Sequence, residues 1–394
     1  MRILYLTHRL PFAPNRGDRI RAFHTLHHLA AHHEVHLVSL VHDDEEAGHA
    51  GELTQVAASV TTARVSAIDR FARIAGALAT GKTLTHALLD ARGLHGQLAE
   101  HVRAHRPDLV LAYCSGMARF ALEPPLAGLP FVLDMVDVDS EKWRLLGRGG
   151  LSPRQWIYRR EATRLHAFER RAVLSARATL VVNDREKRTL TEMCPASKVE
   201  VISNGIDAER LRPSGPPAQE PRVVFCGMMD YQPNEAGVLW FLRDVWPSVR
   251  RARPDAAFLI VGANVTQRVS REAQRSEGVE ITGAVPDVRP FLWRSAVSVA
   301  PLFVARGQQN KVLEASAALL PSIVSTPVWD GLPSQVLRAC TRADSVEEWV
   351  AAVLRLLSLS PSERRGLAEA ADLAALEWAQ TLAPLDGILN AARG

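Results

Sequence analysis

The stretch VEVISNGIDAERLRPSGPPAQEPRVVFC, residues 199–226, decides how the rest of the chain is read. Val199–Ile202 is a short apolar run of strand type, and Asn204-Gly205 is a turn pair. The segment 213–221, PSGPPAQEP, then stops any regular element. Proline fixes φ and offers no N–H, so neither a helix nor a strand passes through it. Val223–Cys226 starts again as a buried strand. Residues 213–221 therefore mark a boundary between two separately patterned halves.

Working outward, each half alternates strands and helices. In the first, Ile3–Leu6 reads as a strand, and Ile20–His33 as a helix with Ile20, Phe23, Leu26 and Leu29 at three-residue steps. Val35–Val41 is the next strand, followed by a helix around 86–104 and strands at Leu109–Tyr113 and Phe131–Met135. A basic helical region over 153–177 and strands Leu180–Val182 and Val199–Ile202 complete the half. In the second, the spacing predicts strands at Val223–Cys226, Ala257–Val261, Val279–Thr282, Val297–Ala300 and Ile323–Ser325. Helices are expected at Ala236–Arg251, Val288–Arg294 and 310–320, and from about 346 to the end. Alternation of this kind implies an α/β fold with two mostly parallel sheets, and 394 residues suit two domains of roughly 150–200 residues each.

Composition is that of a soluble globular protein, 47% hydrophobic and 23% charged. A net charge of +4 permits anionic partners without choosing among them. Cys114, Cys194, Cys226 and Cys340 are widely spaced, with no C-x-x-C pair, so they read as free thiols and not as a disulfide or zinc framework. The opening apolar run is too short for a signal peptide, and no run reaches the ~20 residues of a membrane span. A cytoplasmic protein is expected, peripheral at most to the inner face of the cytoplasmic membrane.

Several local patterns carry chemistry. The first βα loop has one glycine, Gly17, and no G-x-G-x-x-G, which argues against a nicotinamide dehydrogenase. His24, His28 and His32 share a helix face; with no acidic third ligand in view, they read as a solvent-exposed face. Asp137 and Asp139 form a D-x-D after a strand, and Asp137 is read as ligand-facing without a metal. Between 141 and 188, thirteen Lys and Arg stand against five acidic residues, with Trp143, Trp156, Tyr158 and Phe168 interleaved. A basic helix with aromatics suits an anionic lipid surface, and no nucleic-acid module accompanies it. In RGQQNKVLEASAALLP (306–321), a polar loop runs into an apolar helical pattern, with Lys311 and Glu314 expected in its first turn. A glutamate there would complement the helix dipole.

Three segments together carry a resemblance to retaining glycosyltransferases of family 4, which have the GT-B fold. VISNGID (201–207) resembles their interdomain signature, FCGMMDYQPNEAGVLWFL (225–242) the first strand and helix of their C-terminal domain, and NKVLEASAALLPSIVSTPVWDGL (310–332) their donor-site helix. The opening MRILYLTHRLPFAPNRGDRIRAFHTLHHLA is similar to sugar transferases of exopolysaccharide and exosortase-type systems. The resemblance implies two Rossmann-like doubly wound domains facing across a cleft. Residues 1–204 would be the acceptor-side domain, 205–375 the nucleotide-sugar domain, and 376–394 a helix crossing back, with closure around Asn204–Asp207. It further implies a hexosyltransferase reaction with retention and no metal or other cofactor. The donor would be a UDP- or GDP-sugar and the acceptor lipid-linked or saccharide, in exopolysaccharide or related glycan synthesis.

The family's second glutamate, which grips the ribose hydroxyls, matches Glu314; its first falls on Arg306. Its diphosphate-binding arginine falls on Met228, its helix-ending glycine on Leu319, its methionine on Ser316 and its cleft histidine on Val136. The resemblance then assigns catalytic roles to Lys311, Arg306 and Asp137, with Lys311 and Arg306 supplying the displaced positive charge. Donor contacts fall on Glu314, Gly307, Gln308, Gln309, Asn310, Leu313, Gly227, Asn234, Val285 and Pro286, and acceptor contacts on Gly17, Asp18 and Arg19. The departures keep three other readings open: a non-catalytic nucleotide-sugar-binding or assembly protein, a metal-dependent transferase using Asp137 and Asp139, and a nucleotide-sugar epimerase of the same fold.

Overall fold

A computed structural model describes residues 1–12, 17–66, 70–150 and 152–394; for Gly17, Asp18 and Arg70 it describes the backbone alone. The chain divides into two compact units, Met1–Ser203 with Thr381–Gly394, and Asn204–Gln380.

The first unit is built on a seven-stranded sheet in the order β3-β2-β1-β4-β5-β6-β7. Its strands are β1 (Arg2–Thr7), β2 (Glu34–Val41), β3 (Ser59–Arg64), β4 (Leu109–Tyr113), β5 (Phe131–Val136), β6 (Ala178–Val181) and β7 (Val199–Val201). All neighbouring pairs are parallel. Runs such as LVLAY are buried along their whole length, as strands covered on both faces must be. The order reverses at β1 and β4, which places the switch point of the sheet between them.

One buried ion pair ties this unit together. Arg21, from helix Gly17–His32, sets Nε and Nη2 at 2.9 and 3.0 Å from the two carboxylate oxygens of Asp134 in β5. Its Nη1 donates to the Ile202 carbonyl at 2.8 Å, just past β7. Removing one member of such a pair strands a buried charge, at a cost of about 3–5 kcal/mol. The last helix, Leu385–Arg393, also belongs to this unit. Asp386 there lies 3.1 Å from His33 Nε2 and 3.3 Å from His28 Nε2. The expected solvent-exposed histidine face is corrected accordingly. His28 and His33 keep only 14% and 9% of their side-chain surface, because a carboxylate over 350 positions away meets them; His32 stays exposed.

The second unit holds a six-stranded parallel sheet, order β10-β9-β8-β11-β12-β13. Its strands are β8 (Arg222–Cys226), β9 (Ala257–Val261), β10 (Val279–Gly283), β11 (Val297–Ala300), β12 (Ser322–Val324) and β13 (Cys340–Arg342). The switch point lies between β8 and β11. Trp246 and Trp349 are fully buried against Phe241 and Phe258 in its main core.

Other expectations shift. The helix expected around 86–104 is two helices, Leu84–Leu88 and Leu94–His105, parted at Gly93, whose φ is +80°. The helix expected at Ala236–Arg251 starts earlier, at Gln232, and passes through a π turn at Phe241–Val245 before Trp246–Ala252. Pro247 enters there without an N–H to give, and a widened turn absorbs that loss. Strands β3 and β13 were not expected, since SVTTAR and CTR lack a continuous apolar run.

Leu319 stands just past the end of helix Asn310–Ala317, with φ of +57°. The Leu319 N–H meets the Ser316 carbonyl at 3.0 Å and the Leu320 N–H the Ala315 carbonyl at 2.9 Å, a Schellman closure with leucine in the left-handed place. That conformation costs a side-chain-bearing residue roughly 1–2 kcal/mol. Chemical denaturation is expected to show Leu319→Gly at least as stable as the parent, and the β-branched Leu319→Val weaker by about 1 kcal/mol.

Candidate active site

In an open α/β sheet, ligands bind beyond the carboxyl ends of the strands, at the switch point. In the second unit that place is framed by Gly227–Asp230 after β8, by 301–309 after β11, and by helix Asn310–Ala317. Sequence places Gly227 directly after a buried strand, and the structure shows why it is glycine. A Cβ at Gly227 would lie 2.7 Å from Asn234 Nδ2 and 3.1 Å from Lys311 Nζ. Beneath it, Gly262 has φ of +152°, and a Cβ there would fall 1.8 Å from the Gly227 carbonyl oxygen. Two backbones and two polar side chains thus share a space that holds no further carbon.

Lys311 is the centre of this space. Its Nζ donates to Asn234 Oδ1 at 2.7 Å and sits 4.2 Å from the centroid of the Phe225 ring. Asn234 is fixed in turn, its Nδ2 donating to the Met228 carbonyl at 2.9 Å. Packing around Lys311 strips water from the ammonium and lowers its pKa to about 8, against the opposing pull of Cys226 and Glu314. The side chain keeps part of its surface accessible even so. Burial likewise raises the Glu314 carboxyl, with Lys311 acting against the rise. Burial pushes the Cys226 thiol up to about 12, with Glu314 adding to the rise, so it stays protonated.

The helix begins at Asn310, so Lys311 lies in its first turn and Glu314 one turn further on; Glu314 is not the first-turn residue the sequence suggested. The i, i+3 spacing still puts both on one face. Gln309, at the N-cap, makes no side-chain cap, while its carbonyl accepts the Val312 N–H at 2.9 Å; the positive end of the helix dipole favours an anion at this end. Leu313 faces the core, fully buried.

The remaining positions expected to contact a donor divide. Gly307 has φ of +68°, a turn conformation suited to glycine. Gln308 is buried, and both its amide ends engage the backbone of Asn204, at 2.9 and 3.2 Å. Asn310 Oδ1 accepts from Asn204 Nδ2 at 2.9 Å. These two residues fasten the loop to Asn204, the turn of the VISNGID motif. Arg306 is half-buried; its carbonyl oxygen lies 3.4 Å from Gln309 Nε2. Val285 packs on the small core cluster of Cys226, Ala315 and Ala318, while Pro286 is exposed.

In the first unit, buried carboxylates organise the corresponding strand ends. Glu46 accepts the Leu10 and His42 N–H groups at 3.1 and 2.7 Å and lies 3.2 Å from Arg19 Nη2 and 3.6 Å from Arg9 Nη1. Arg19 is thereby held by a buried partner; the side chains of Gly17 and Asp18 lie outside the described residues. Asp137 is half-buried after β5, and Asp139 accepts from Ser115 Oγ at 3.0 Å. Among the described residues, this pair joins no group of three convergent metal ligands. Glu169 bonds the N–H and hydroxyl of Ser140, and burial together with Asp139 and Asp137 raises it to about 8, so it holds a proton at neutral pH. Val136 and Cys114, at the ends of β5 and β4, have φ of +69° and +67°. Sequence reasoning missed Glu169, Glu46, Gly262 and Cys226. Only Gly262, directly after the apolar run AFLIV, carried a local signal.

Two parallel doubly wound sheets, the second with a lysine and a carboxylate on a helix face at its switch point, place the chain among α/β proteins built from paired Rossmann-like units. Comparison with known proteins narrows this class. Residues 17–210 match the model of Glycosyltransferase Family 4, and residues 220–359 that of Glycosyl transferases group 1. The chain is a glycosyltransferase of the GT-B type. Among solved structures it resembles Anabaena HepE in complex with UDP and glucose, at 12% identity over 99% of both chains with a TM-score of 0.68. It also resembles an Escherichia coli trehalose-6-phosphate protein bound with UDP-2-fluoro glucose, at 12% identity over 100% and 99% of the two chains, TM-score 0.68. The N-terminal domain of a Candida albicans trehalose-6-phosphate phosphatase is similar at 16% identity over 99% and 97%, TM-score 0.66. At such identities these likenesses speak to fold. Comparison with curated proteins gave no significant match.

Overpacking tests the geometry. Gly227→Ala is expected to lose about 1–3 kcal/mol in denaturant unfolding, because Asn234 must yield. Gly262→Ala should lose more, since its new Cβ meets backbone.

Proposed function

We propose that this protein transfers a sugar from a nucleoside diphosphate sugar with retention of anomeric configuration, and that Lys311 and Glu314 are its principal donor contacts. The observation that carries the reading is the Lys311 ammonium, held by Asn234 beside Gly227, at the start of a helix with Glu314 one turn on. Loss of a nucleoside diphosphate builds negative charge on the phosphate oxygens. A fixed ammonium and the positive end of a helix dipole stabilise such charge without reorganising. Lys311 thus occupies the space just after β8, where the family's own diphosphate cation is replaced by Met228. Glu314, with two acceptor oxygens, suits the paired hydroxyls of a ribose. Arg306 and Gly307–Gln309 complete the donor loop, Val285 and Pro286 border the base, and Asp137 with Gly17–Arg19 serve the acceptor.

UDP is the first nucleotide to test, because HepE and the E. coli protein were solved with UDP or a UDP-sugar. An acceptor in glycan synthesis, lipid-linked or saccharide, follows from the resemblance. A membrane-facing role is supported by two exposed aromatics, Trp156 at 61% and Phe71 at 84%, on neighbouring helices joined by Arg160, which donates to the Ala77 and Lys82 carbonyls. Much of the basic helix Pro153–Ser175 is structural, however: Glu161 and Glu169 are buried, and Phe168 packs on the core. No helix among the described residues is long and apolar enough to cross a membrane. A second reading, binding without turnover, is favoured by Arg306 standing where the family has a glutamate.

A thermal-shift screen of UDP-, GDP-, ADP- and TDP-sugars identifies the donor, since a ligand specific for the folded state raises Tm. Transfer and hydrolysis assays with that donor then separate the two readings; binding with no turnover supports the second. For the transferase, kcat/KM for donor is expected to fall as pH rises through about 8. Lys311 carries its proton below that pH and loses it above, and kcat/KM reports the free enzyme. Lys311→Arg should remove this alkaline fall while keeping part of the rate, and Lys311→Ala should lose most of the rate at every pH. Trp156→Ala with Phe71→Ala is expected to reduce sedimentation with anionic vesicles and leave donor binding unchanged.

A further inference from the structure

At the amino end of the first unit's sheet, away from the strand ends treated above, three imidazoles converge. His36 lies near the start of β2, and His101 and His105 lie one turn apart on helix Leu94–His105. The i, i+4 spacing puts the latter two on one helix face. His36 and His101 are buried, at 3% and 9% exposure, and His105 is half-buried. The His36 and His105 rings stack with centroids 3.9 Å apart, and His101 and His105 are 5.2 Å apart. One ligand nitrogen from each ring lies within 4.8 Å of the others.

The hydrogen bonding around this cluster is specific. Ser59 and Thr61, alternate residues of β3 facing one side, each hold one ring nitrogen. Ser59 Oγ lies 2.8 Å from His36 Nδ1, and Thr61 Oγ1 lies 2.7 Å from His101 Nε2. Of the other nitrogens, His101 Nδ1 is buried without a hydrogen bond, and His36 Nε2 faces a carboxylate. The nearest anion is Glu34, its Oε1 3.2 Å from His36 Nε2. Arg2 and Glu34 are the charged groups that act on His36, and Glu100 acts on His101.

We propose that His36, His101 and His105 bind a divalent transition metal, zinc by preference, with Glu34 or water as fourth ligand. One ring nitrogen oriented by a hydroxyl and the other turned inward is the arrangement in which an outer partner fixes a histidine ligand. Three imidazole nitrogens and one oxygen suit zinc in a tetrahedral site. A metal here would satisfy the buried His101 Nδ1, which otherwise costs free energy. It would join β2 to helix Leu94–His105, with β3 hydroxyls behind both. The site is structural in character, and it stands independently of the donor reading.

The test uses full-length protein freed of metal by a chelator. Zn2+ is titrated by calorimetry, Co2+ is followed by its visible d–d absorption, and Tm is recorded with and without Zn2+. The proposal expects about one equivalent of saturable binding at this cluster, a tetrahedral Co2+ spectrum and a raised Tm. His105→Ala, at the accessible edge where folding is least at risk, should weaken binding about tenfold or more. His28→Ala should leave it unchanged; His28, with His32 and Asp386, is the other group of convergent ligands among the described residues. Absence of saturable binding to the parent overturns the proposal. Binding that survives His105→Ala and is lost in His28→Ala overturns it as well.

Discussion

The candidate site depends on the 2.7 Å bond between Lys311 Nζ and Asn234 Oδ1, and that bond depends on the missing carbon at Gly227. Gly262 removes a second carbon beneath it and lets β8 and β9 end in contact. The consequence is electrostatic. An ammonium drawn into packed surroundings loses part of its hydration, and its pKa falls to about 8. Asn234 orients it without neutralising it, and Phe225 supports it from below. An incoming diphosphate would add negative charge to that of Glu314 and would draw the pKa back up.

Buried carboxyl groups organise the first unit in a comparable way. Glu46, Glu169 and Glu186 are fully buried, and each accepts backbone N–H groups near the strand ends or at a helix start. Glu186 takes the Val138 N–H at 2.9 Å, and Glu169 takes Ser140, so the segment carrying Asp137 and Asp139 is pinned from two sides. With Arg21 and Asp134 joining helix to sheet, these contacts fix the loops at the strand ends and leave the apolar strands to supply the bulk of stability.

Much of this was legible in the sequence because it is local. The apolar runs of β1, β4, β8, β9 and β11 and the approach of Lys311 to the start of a helix follow from composition and spacing, whereas the Pro-rich break at 213–221, expected as the boundary, lies inside the second unit, which begins at Asn204. What the sequence concealed is contact between distant positions. Asp386 meets His28 and His33 across the length of the chain, and no periodicity within helix Gly17–His32 reveals it. Gln308 and Asn310 look like loop polar residues available to a ligand, yet Asn204 engages both. Asn234 was legible as a polar residue near a strand end, but its partner stands 77 positions away. Leu319 shows the reverse: the departure from glycine was visible, and the backbone keeps the left-handed turn regardless.

The most direct measurement of the central claim compares a nucleoside diphosphate with its parent nucleoside, by calorimetry, on the parent protein and on Lys311→Ala. A charge-assisted contact to phosphate predicts that the variant loses about tenfold or more in affinity for the diphosphate and little for the nucleoside. Equal losses for both ligands, or none for either, would contradict the assignment of Lys311 to the diphosphate.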